Sequence, residues 1–466
     1  MPYRTFGRLL AASVGLLTVT SWALAAHPEF DVRACEPKAA AAGARCGVVY
    51  VPENHAKPRG RKIGLNVIVL PATGSANSRW AQYDLEGGPG FAVTDFLEFY
   101  ASDGAAYRQS SDIVLADMRG TGASNPLRCF GIEEREKRLP LAPMYPPELV
   151  AECAAQSSVA SDPTQYSTAA AALDIEWVRK ALGYERLQLS AISYGTTLAM
   201  RYIADHPERV RSAVLYGTVA PRFTPPRFHA SAAETALQGL AAQCKADESC
   251  HNAFGDLDAN IARALQRAGA LENATPAVFM EKVRNQLYLP FTRARLPALI
   301  ARAAEGNFSG FTQGRSGRVF ADGLYLAITC AESFGEMDVD AAIDASQSTR
   351  FGAYRLERQR AACASWPRAP RDPQLMEQRK SNVPVLFIAG ELDPVAPADW
   401  TRELAKYFPR GRVASIPHGG HMPDGLSGLD TCLDATVLKF YDTADAQALD
   451  LSCFAGMAPP PFGAAP

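Results

Sequence analysis

The stretch LQLSAISYGTT, residues 187–197, guides the interpretation of the whole chain. A short apolar run ends in a small residue, a spacer, a serine, a spacer and a glycine, and a helical pattern follows at once. Ala191 and Gly195 flank Ser193 at the two-residue spacing that a very sharp strand-to-helix turn requires. Glycine usually holds the first of these two places, and Ala191 is a small substitute. The pattern predicts a nucleophile elbow at Ser193, although alone it also fits a serine in an ordinary turn.

Strand and helix patterns alternate on both sides of this turn. Strands are predicted at 48–52, 63–70, 80–85, 112–116, 187–192, 210–216, 383–389 and 413–416. Short apolar strands that alternate with helices indicate a mostly parallel sheet with helices on both faces. Functional sites in such sheets form at the carboxyl ends of strands. The Gly-rich turns at 86–90 and 117–122 and the elbow at Ser193 all follow predicted strands, so we expect them at one common edge.

The helical content rises between the two halves of this alternating pattern. Residues 222–380 consist mainly of helical stretches separated by loops rich in Pro, Gly and Arg. Two βα units would need only about 60 residues, yet Ser193 and Asp393 lie 200 residues apart. We interpret 222–380 as a helical cap inserted between two core parts, 26–221 and 381–456. The Pro- and Ala-rich tail, 457–466, is predicted to be disordered.

A serine hydroxyl needs a histidine to accept its proton and an acid to orient that histidine. Asp393 is the candidate acid, because it follows the predicted strand 383–389 and a Gly turn. His421 is the candidate base, in the loop after the strand 413–416. His418 in the same loop is its rival, and we favour His421 because Gly419 and Gly420 free the backbone just before it. The order Ser193, Asp393, His421 is that of an α/β-hydrolase.

The oxyanion of a tetrahedral intermediate needs two aimed backbone donors. The amide of Tyr194, directly after the predicted nucleophile, is one candidate. The second is expected from the Gly87-Gly88 turn, where the missing side chains let the backbone approach substrate, and we predict Gly88. His418 and His421 lack nearby carboxylate or thiolate partners for a metal. The predicted chemistry requires no metal and no organic cofactor.

The N-terminus is predicted to be a cleaved export signal, 1–25. Arg4 and Arg8 precede an apolar run, 9–19, that is short for a membrane span, and Ala23-Leu24-Ala25 fits a cleavage site. An uncleaved membrane anchor is the alternative. The sequence therefore predicts an exported protein, periplasmic or extracellular.

Ten cysteines, all after the predicted signal, favour disulfide bonds in an exported chain. None belongs to a C-x-x-C pair, which argues against zinc. The simplest pairing joins sequence neighbours: Cys35 with Cys46, Cys129 with Cys153, Cys244 with Cys250, Cys330 with Cys363, and Cys432 with Cys453. The formal net charge of −2 over 466 residues includes no basic excess, so nucleic acid is not an expected partner.

With these residues assigned, the chain resembles the α/β-hydrolase peptidases that include proline iminopeptidases and secreted tripeptidyl aminopeptidases. The matching phrases are Gly87-Gly88-Pro89-Gly90, Asp117-x-Arg119-Gly120-x-Gly122-x-Ser124, Ser193-Tyr194-Gly195-Thr196, Asp393-Pro394-Val395-x-Pro397 and Gly420-His421. The export signal, the large cap and the segment with Cys432 and Cys453 are closer to the tripeptidyl type. The resemblance covers nearly the whole mature chain.

The resemblance implies acidic cap residues that hold the free amino group of a peptide. Glu332, in the phrase Ala327-Ile328-Thr329-Cys330-Ala331-Glu332, resembles the acid of a family motif and is a candidate anchor. Proline iminopeptidases usually have histidine before the Gly-Gly-Pro-Gly run, whereas this chain has Glu86, a second candidate for substrate binding. A solvated helix glutamate remains the alternative for Glu332.

Together, the motifs and the resemblance predict an exported serine aminopeptidase that acts on peptides with a free N-terminus and has no stable membrane insertion. A carboxylesterase that uses the same triad on small acyl esters is the first alternative. A binding protein on an inactive hydrolase scaffold is the second. Product length, residue preference and oligomeric state do not follow from the sequence.

Overall fold

The computed structural model describes Met1 and residues 28–75, 79–272, 274–312 and 318–463. Apart from Met1, the predicted export signal lies outside the described residues. The described strands are β1 Phe30–Arg33, β2 Arg45–Pro52, β3 Lys62–Leu70, β4 Trp80–Leu85, β5 Asp112–Ala116, β6 Arg186–Ile192, β7 Val210–Tyr216, β8 Val385–Gly390 and β9 Gly411–Ile416.

These strands form one sheet in the order β1-β2-β3-β5-β4-β6-β7-β8-β9. Every neighbouring pair from β5 to β9 is parallel, whereas β1, β2 and β3 are antiparallel to their neighbours. A short link such as 53–61 can only reverse the chain, and a parallel pair needs a longer crossover, usually a helix. The predicted fold class is confirmed, with the antiparallel pairs confined to the N-terminal edge.

Helices of the core precede and follow a long helical segment. The core helices are α1 Pro37–Ala41, α2 Leu97–Ala101, α3 Phe130–Arg138, α4 Pro147–Ala160, α5 Thr168–Leu182 and α6 Tyr194–Asp205, and later α15 Ala398–Ala405 and α16 Ala435–Thr443. The segment between them holds α7 His229–Ala246, α8 Glu248–Phe254, α9 Leu257–Ala268, α10 Pro276–Gln286, α11 Pro290–Ala304, α12 Asp322–Ile328, α13 Val339–Gln347 and α14 Tyr354–Ser365. A π-helical turn, Thr329–Ser333, directly follows α12.

The sheet is buried on both faces because alternate residues of each strand point to opposite sides. On β7, Ala213 and Leu215 belong to a hydrophobic cluster with α5 and α6. Val214, between them, belongs to a second cluster with α16 on the other face. Near-continuous apolar strands such as β7 and β8 are what a doubly covered parallel sheet requires.

The helical segment that the sequence predicts to be a cap packs in two ways. Its first part, from α7 to α11, has a hydrophobic cluster of its own, with Phe279 and Ile300 fully buried. Its second part, from α12 to α14, shares the cluster of the sheet through residues such as Leu324 and Cys363. The second half of this helical segment therefore shares one continuous hydrophobic core with the sheet.

The C-terminal tail lies against the molecule over the part that the structure describes. Met457 is buried, and Gly463 donates a hydrogen bond from its N–H to the carbonyl of Ala294 in α11 at 3.0 Å. The sequence predicts disorder for 457–466, so these contacts differ from that expectation over 457–463. Residues 464–466 lie outside the described part.

Five disulfide bonds join the cysteines in the predicted neighbour pairs, which confirms that pairing. All ten cysteines are thus oxidised, as is usual in exported proteins and rare in the cytosol. No helix of the described residues has the length and apolar character needed to cross a membrane.

Candidate active site

Ser193 lies on a sharp turn between β6 and α6. Its backbone angles, φ 54° and ψ −123°, are strained for a residue with a side chain. Its N–H donates to the carbonyl of Tyr216 on the next strand at 3.0 Å, which holds the turn in place. A Cβ at Gly195 would lie 2.2 Å from the carbonyl oxygen of Leu85, so only glycine fits there. The nucleophile elbow geometry predicted for this stretch is present in the structure.

His421 and Asp393 are in direct contact, although they are distant in sequence. The Nδ1 atom of His421 lies 2.8 Å from Oδ2 of Asp393, and both side chains are buried. The other carboxylate oxygen, Oδ1, accepts hydrogen bonds from the backbone N–H of Val395 at 2.7 Å and of Ala396 at 2.9 Å. An ionised carboxylate can only accept, so this contact assigns the proton of a neutral imidazole to Nδ1. The Nε2 lone pair is then left to act as a base.

Gly217 lies under the imidazole of His421 and next to the turn of Ser193. Ile192 is in register with Tyr216, so Ser193 and Gly217 follow side by side at the ends of β6 and β7. A Cβ at Gly217 would lie 2.8 Å from Nδ1 and from Cε1 of His421, and its φ of +52° also favours glycine. Nε2 of His421 is buried and has no hydrogen-bond partner among the described residues, Ser193 included. Catalytic hydrogen bonds are often long without substrate.

His418, the alternative base, faces a different partner. Its Nδ1 lies 3.3 Å from Nε2 of Gln243 in α7, and its carbonyl accepts from Arg293 in α11. The histidine in contact with Asp393 is therefore His421.

The Gly87-Gly88 turn lies directly against the nucleophile. A Cβ at Gly87 would be 2.8 Å from Cβ and 3.3 Å from Oγ of Ser193. The N–H of Gly87 is bonded to Oε1 of Glu86 at 2.7 Å. Gly88 is exposed, with φ at +113°. Tyr194 is the first residue of α6, so its N–H has no acceptor within the helix.

Glu86 is paired with a cation. Its Oε2 atom accepts from Arg318 at 3.0 Å, and Arg318 also bonds Asp95 at 2.7 Å. Burial raises the pKa of Glu86 above its usual range, and Arg318 opposes that shift. The Glu86 carboxylate is therefore already paired with Arg318 and hydrogen-bonded to the N–H of Gly87.

Glu332 lies in the π-helical turn of the predicted cap domain, and its side chain binds the first residue of α5. Its Oε1 accepts from the N–H of Thr168 at 2.7 Å and its Oε2 from the Thr168 hydroxyl at 2.6 Å. The same hydroxyl is 2.7 Å from the hydroxyl of Tyr194. Burial raises the pKa of Glu332 to about 7. No arginine or lysine of the described residues is hydrogen-bonded to this half-buried carboxylate.

Comparison with known proteins identifies the family. The chain matches the alpha/beta hydrolase fold family over residues 85–423, a span that contains Ser193, Asp393 and His421. The chain belongs to this family. The hydrolase is thus an enzyme of the serine hydrolase class, as the elbow pattern and the order of the three residues predict.

Curated relatives of this hydrolase are peptidases. Tripeptidyl aminopeptidase of Streptomyces coelicolor is 24% identical over 90% of this chain and 84% of the relative. Serine protease Hip1 of Mycobacterium tuberculosis is 24% identical over 85% of each chain. A probable proline iminopeptidase of Streptomyces coelicolor is 34% identical over 28% of this chain and 31% of the relative. The resemblance drawn from the motifs is confirmed, and the relatives support a serine peptidase or aminopeptidase of the α/β-hydrolase type.

Two residues of the hydrolase site are absent from the sequence expectations. Gly217 had a detectable signal, because it directly follows the predicted strand 210–216. Tyr288 had none: it lies two residues after the end of α10, and its ring is 5.2 Å from the ring of His421 at an interplanar angle of 80°. Only the folded chain brings it to the ring of His421.

An apolar cavity adjoins the loop of Asp393. Its lining residues come from the segment after β7, the start of α7 and the loop before α15: Val219, Phe223, Pro225, Phe228, His229, Val395, Ala396 and Trp400. Both ring nitrogens of His229 are buried without a partner among the described residues. Burial, with Arg284 and Arg355 nearby, lowers the pKa of His229 well below its usual value, so this lining is uncharged near neutral pH.

Proposed function

We propose that this hydrolase is an exported serine aminopeptidase that cleaves peptide bonds near a free N-terminus. The proposed triad is Ser193, His421 and Asp393. One observation carries it: the Nδ1–Oδ2 contact of His421 and Asp393 lies at Gly217, next to the strained turn of Ser193. All three residues follow strands of the parallel part of the sheet, at the carboxyl ends where α/β enzymes build their sites, and this supports the proposed triad.

The mechanism follows from the proton positions. His421 takes the hydroxyl proton of Ser193 on Nε2 while Oγ attacks the peptide carbonyl, and Asp393 keeps Nδ1–H in place and stabilises the imidazolium. The N–H groups of Gly88 and Tyr194 stabilise the oxyanion; losing one such donor typically costs roughly 10²–10³ in turnover. His421 then protonates the leaving amine, and water, activated by the same Nε2, releases the acyl group from Ser193.

Glu332 is the proposed anchor for the substrate's amino group. Its carboxylate is half-buried, and its hydrogen-bond donors among the described residues are the neutral groups of Thr168, so an ammonium would supply a positive charge. Glu86 is the second candidate, but Arg318 already neutralises it. We expect Glu86 to shape the Gly87-Gly88 turn more than to bind the ammonium. The cap, 222–380, contributes Glu332 and bounds the cleft.

A comparison of blocked and free peptides tests the proposal. The chromogenic substrates are aminoacyl, dipeptidyl and tripeptidyl p-nitroanilides, each with a free and with an acetylated N-terminus. An aminopeptidase cleaves the free series much faster than the acetylated series. Equal rates on both series, or faster cleavage of small acyl esters, would favour the carboxylesterase instead.

Fluorophosphonate labelling tests the triad separately. The wild-type enzyme is expected to be labelled, whereas Ser193→Ala and His421→Ala are expected to lose both labelling and turnover. His418→Ala is the matched control, because it removes a histidine three residues away in the same loop and should retain labelling. A wild-type protein that no such probe labels would indicate an inactive binding scaffold.

A further inference from the structure

The loop that carries His421 is held by the cap as well as by the core. We define the cap junction as residues 287–293, where α10 ends and α11 begins. The carbonyl of Tyr288 accepts hydrogen bonds from the N–H of His421 at 2.7 Å and of Met422 at 3.3 Å. Phe291 N–H donates to the carbonyl of Asp424 at 3.4 Å, and Arg293 donates to the carbonyl of His418. The cap junction thus contacts the loop both before and after His421.

The packing leaves no spare room between the two segments. A Cβ at Gly420 would lie 2.2 Å from the carbonyl oxygen of Tyr288. A Cβ at Gly425 would lie 2.6 Å from Cβ of Phe291. Gly420, next to His421, and Gly425, four residues after it, are therefore needed for the close approach of the cap junction.

The ring of Tyr288 is fixed from behind by charged side chains. Its hydroxyl accepts from Nη1 of Arg284 at 2.7 Å, and Arg284 is buried. Arg284 is paired with Glu281 at 3.0 Å, and Glu281 also binds Arg355 of α14 at 3.1 Å. Tyr288 is consequently tied to α10 and, through Glu281, to α14, and cannot rotate freely.

The imidazole of His421 is confined on the other sides by Asp393 and Gly217. Asp393 fixes Nδ1, and Gly217 forms the floor under Nδ1 and Cε1. The remaining freedom is a tilt of the ring about the Asp393 contact, and the edge-on ring of Tyr288 limits that tilt. We propose that Tyr288 is a positioning residue, which sets the plane of the His421 ring so that Nε2 faces Oγ of Ser193. This inference rests on the proposed triad.

The expected consequence is a loss of rate without a loss of binding. Proton transfer needs Nε2 within hydrogen-bond reach of Oγ, and a displacement of about 1 Å can cost about 10²-fold in rate. A tilted imidazole leaves the substrate contacts elsewhere in the cleft unchanged. The effect should therefore fall on kcat rather than on KM.

The test uses the full-length enzyme with a free-N-terminus p-nitroanilide and a fluorophosphonate probe. Tyr288→Leu is expected to lower kcat by about 10- to 100-fold, with KM changed less than about threefold, and to slow the labelling of Ser193 by a similar factor. Tyr288→Phe keeps the ring and should recover kcat to within about fivefold of wild type. Tyr354→Leu is the matched control, because it makes the same substitution at another tyrosine of the predicted cap. The Tyr354 hydroxyl accepts from the N–H of Met144, and this variant should keep the wild-type kcat.

Two results would overturn the proposal. One is a folded Tyr288→Leu enzyme, judged by circular dichroism and Tm, with kcat within twofold of wild type. The other is a change in KM alone, which would make Tyr288 a substrate contact. If the leucine variant is not recovered folded, Tyr288→Met takes its place, because methionine is also apolar but more adaptable in shape. The same changes in kcat, KM and labelling are expected for it. Failure of the triad itself is distinguishable, because His421→Ala would then retain labelling.

Discussion

At the scale of single residues, Glu332, the proposed amino-group anchor, is linked through Thr168 to Tyr194 at the start of α6. It binds both the N–H and the hydroxyl of Thr168, and that hydroxyl contacts the hydroxyl of Tyr194, whose own N–H is a proposed oxyanion donor. A carboxylate in this place can hold an ammonium and can also order the start of α6. The two roles make different predictions for blocked and free substrates.

Glu332→Gln is expected to impair cleavage of free peptides selectively. Loss of a hydrogen bond to a charged group costs about 1.5–3 kcal/mol, so kcat/KM for a free tripeptidyl p-nitroanilide at pH 8 should fall by about 10- to 150-fold. The slow cleavage of the acetylated analogue should change less than about threefold. An equal loss on both substrates would contradict the anchor and favour a structural role through Thr168.

The effect of Glu332→Gln on kcat/KM is also expected to depend on pH. Burial raises the pKa of Glu332 to about 7, so the carboxyl of the free enzyme is mostly charged at pH 8 and mostly neutral at pH 6. The ratio of wild-type to Glu332→Gln kcat/KM on the free peptide should therefore shrink as the pH falls from 8 to 6. A ratio that stays constant over this range would contradict a role of the charged carboxylate.

At the scale of elements, the central strand β4 carries a buried acid. Asp84 accepts hydrogen bonds from the hydroxyl of Tyr100 at 2.5 Å and from Gln82 at 2.8 Å. It lies opposite Ser190 of β6, three residues before Ser193, the proposed nucleophile. Burial is the main cause that raises the pKa of Asp84 from 3.8 to about 7. The native protein thus holds a proton there that the unfolded chain releases above about pH 4.

Asp84→Asn should change how stability depends on pH. Between about pH 4 and 7 the native state binds more protons than the unfolded state. The contribution of Asp84 to the wild-type free energy of unfolding therefore falls as the pH rises, by at most about 1.4 kcal/mol per pH unit. The asparagine variant lacks that contribution. Urea unfolding of both proteins at pH 5 and pH 7.5 should show the variant gaining relative to wild type at the higher pH; a constant difference would contradict a shifted Asp84.

The disulfide between Cys330 and Cys363 links the turn of Glu332 to α14. Its sequence separation is 33 residues, against 6 for the Cys244–Cys250 bond. Because longer closed loops restrict the unfolded chain more, the double Cys→Ser variant of the first pair should lose about 3–4 kcal/mol and that of the second about 2 kcal/mol. The measurement is the apparent free energy of unfolding in urea; the reverse order would show that native contacts outweigh loop length.

At the scale of the whole molecule, the helical segment predicted to be a cap contacts both the sheet and the loop of His421. Its second half shares the hydrophobic cluster of the sheet, and its junction at 287–293 holds the His421 loop. Five disulfides, each between cysteines close in sequence, strengthen segments of both the core and the cap. Such cross-links suit a protein exposed to the oxidising conditions outside the cytoplasm.

Export predicts a processed N-terminus. If residues 1–25 are removed as a signal, the mature protein begins at Ala26 or His27. Intact-mass measurement and N-terminal sequencing of protein recovered from the periplasm or the medium check this expectation. Full-length protein that stays with the membrane fraction would indicate an uncleaved anchor.

The alternating apolar pattern, the small residues around Ser193 and the spacing of the cysteines determined the fold class, the elbow and the disulfide pairs from the sequence alone. These features are local, since a sharp turn, a buried strand and a short loop each impose their residue types on neighbours in the chain. The packed residues 457–463 were not visible in this way, because their contacts depend on a surface that only the folded chain forms. The antiparallel pairing of β2 with β3 did have a local signal, the short link 53–61.

The contacts across the site belong to the tertiary structure. Only the folded chain brings Gly217 under the imidazole, Tyr288 against its ring, and Thr168 to Glu332. The partners in these contacts are separated by between 133 and 204 residues, and no periodicity or motif links such positions. They meet because the parallel sheet gathers its loops at one edge and the inserted helices close over that edge.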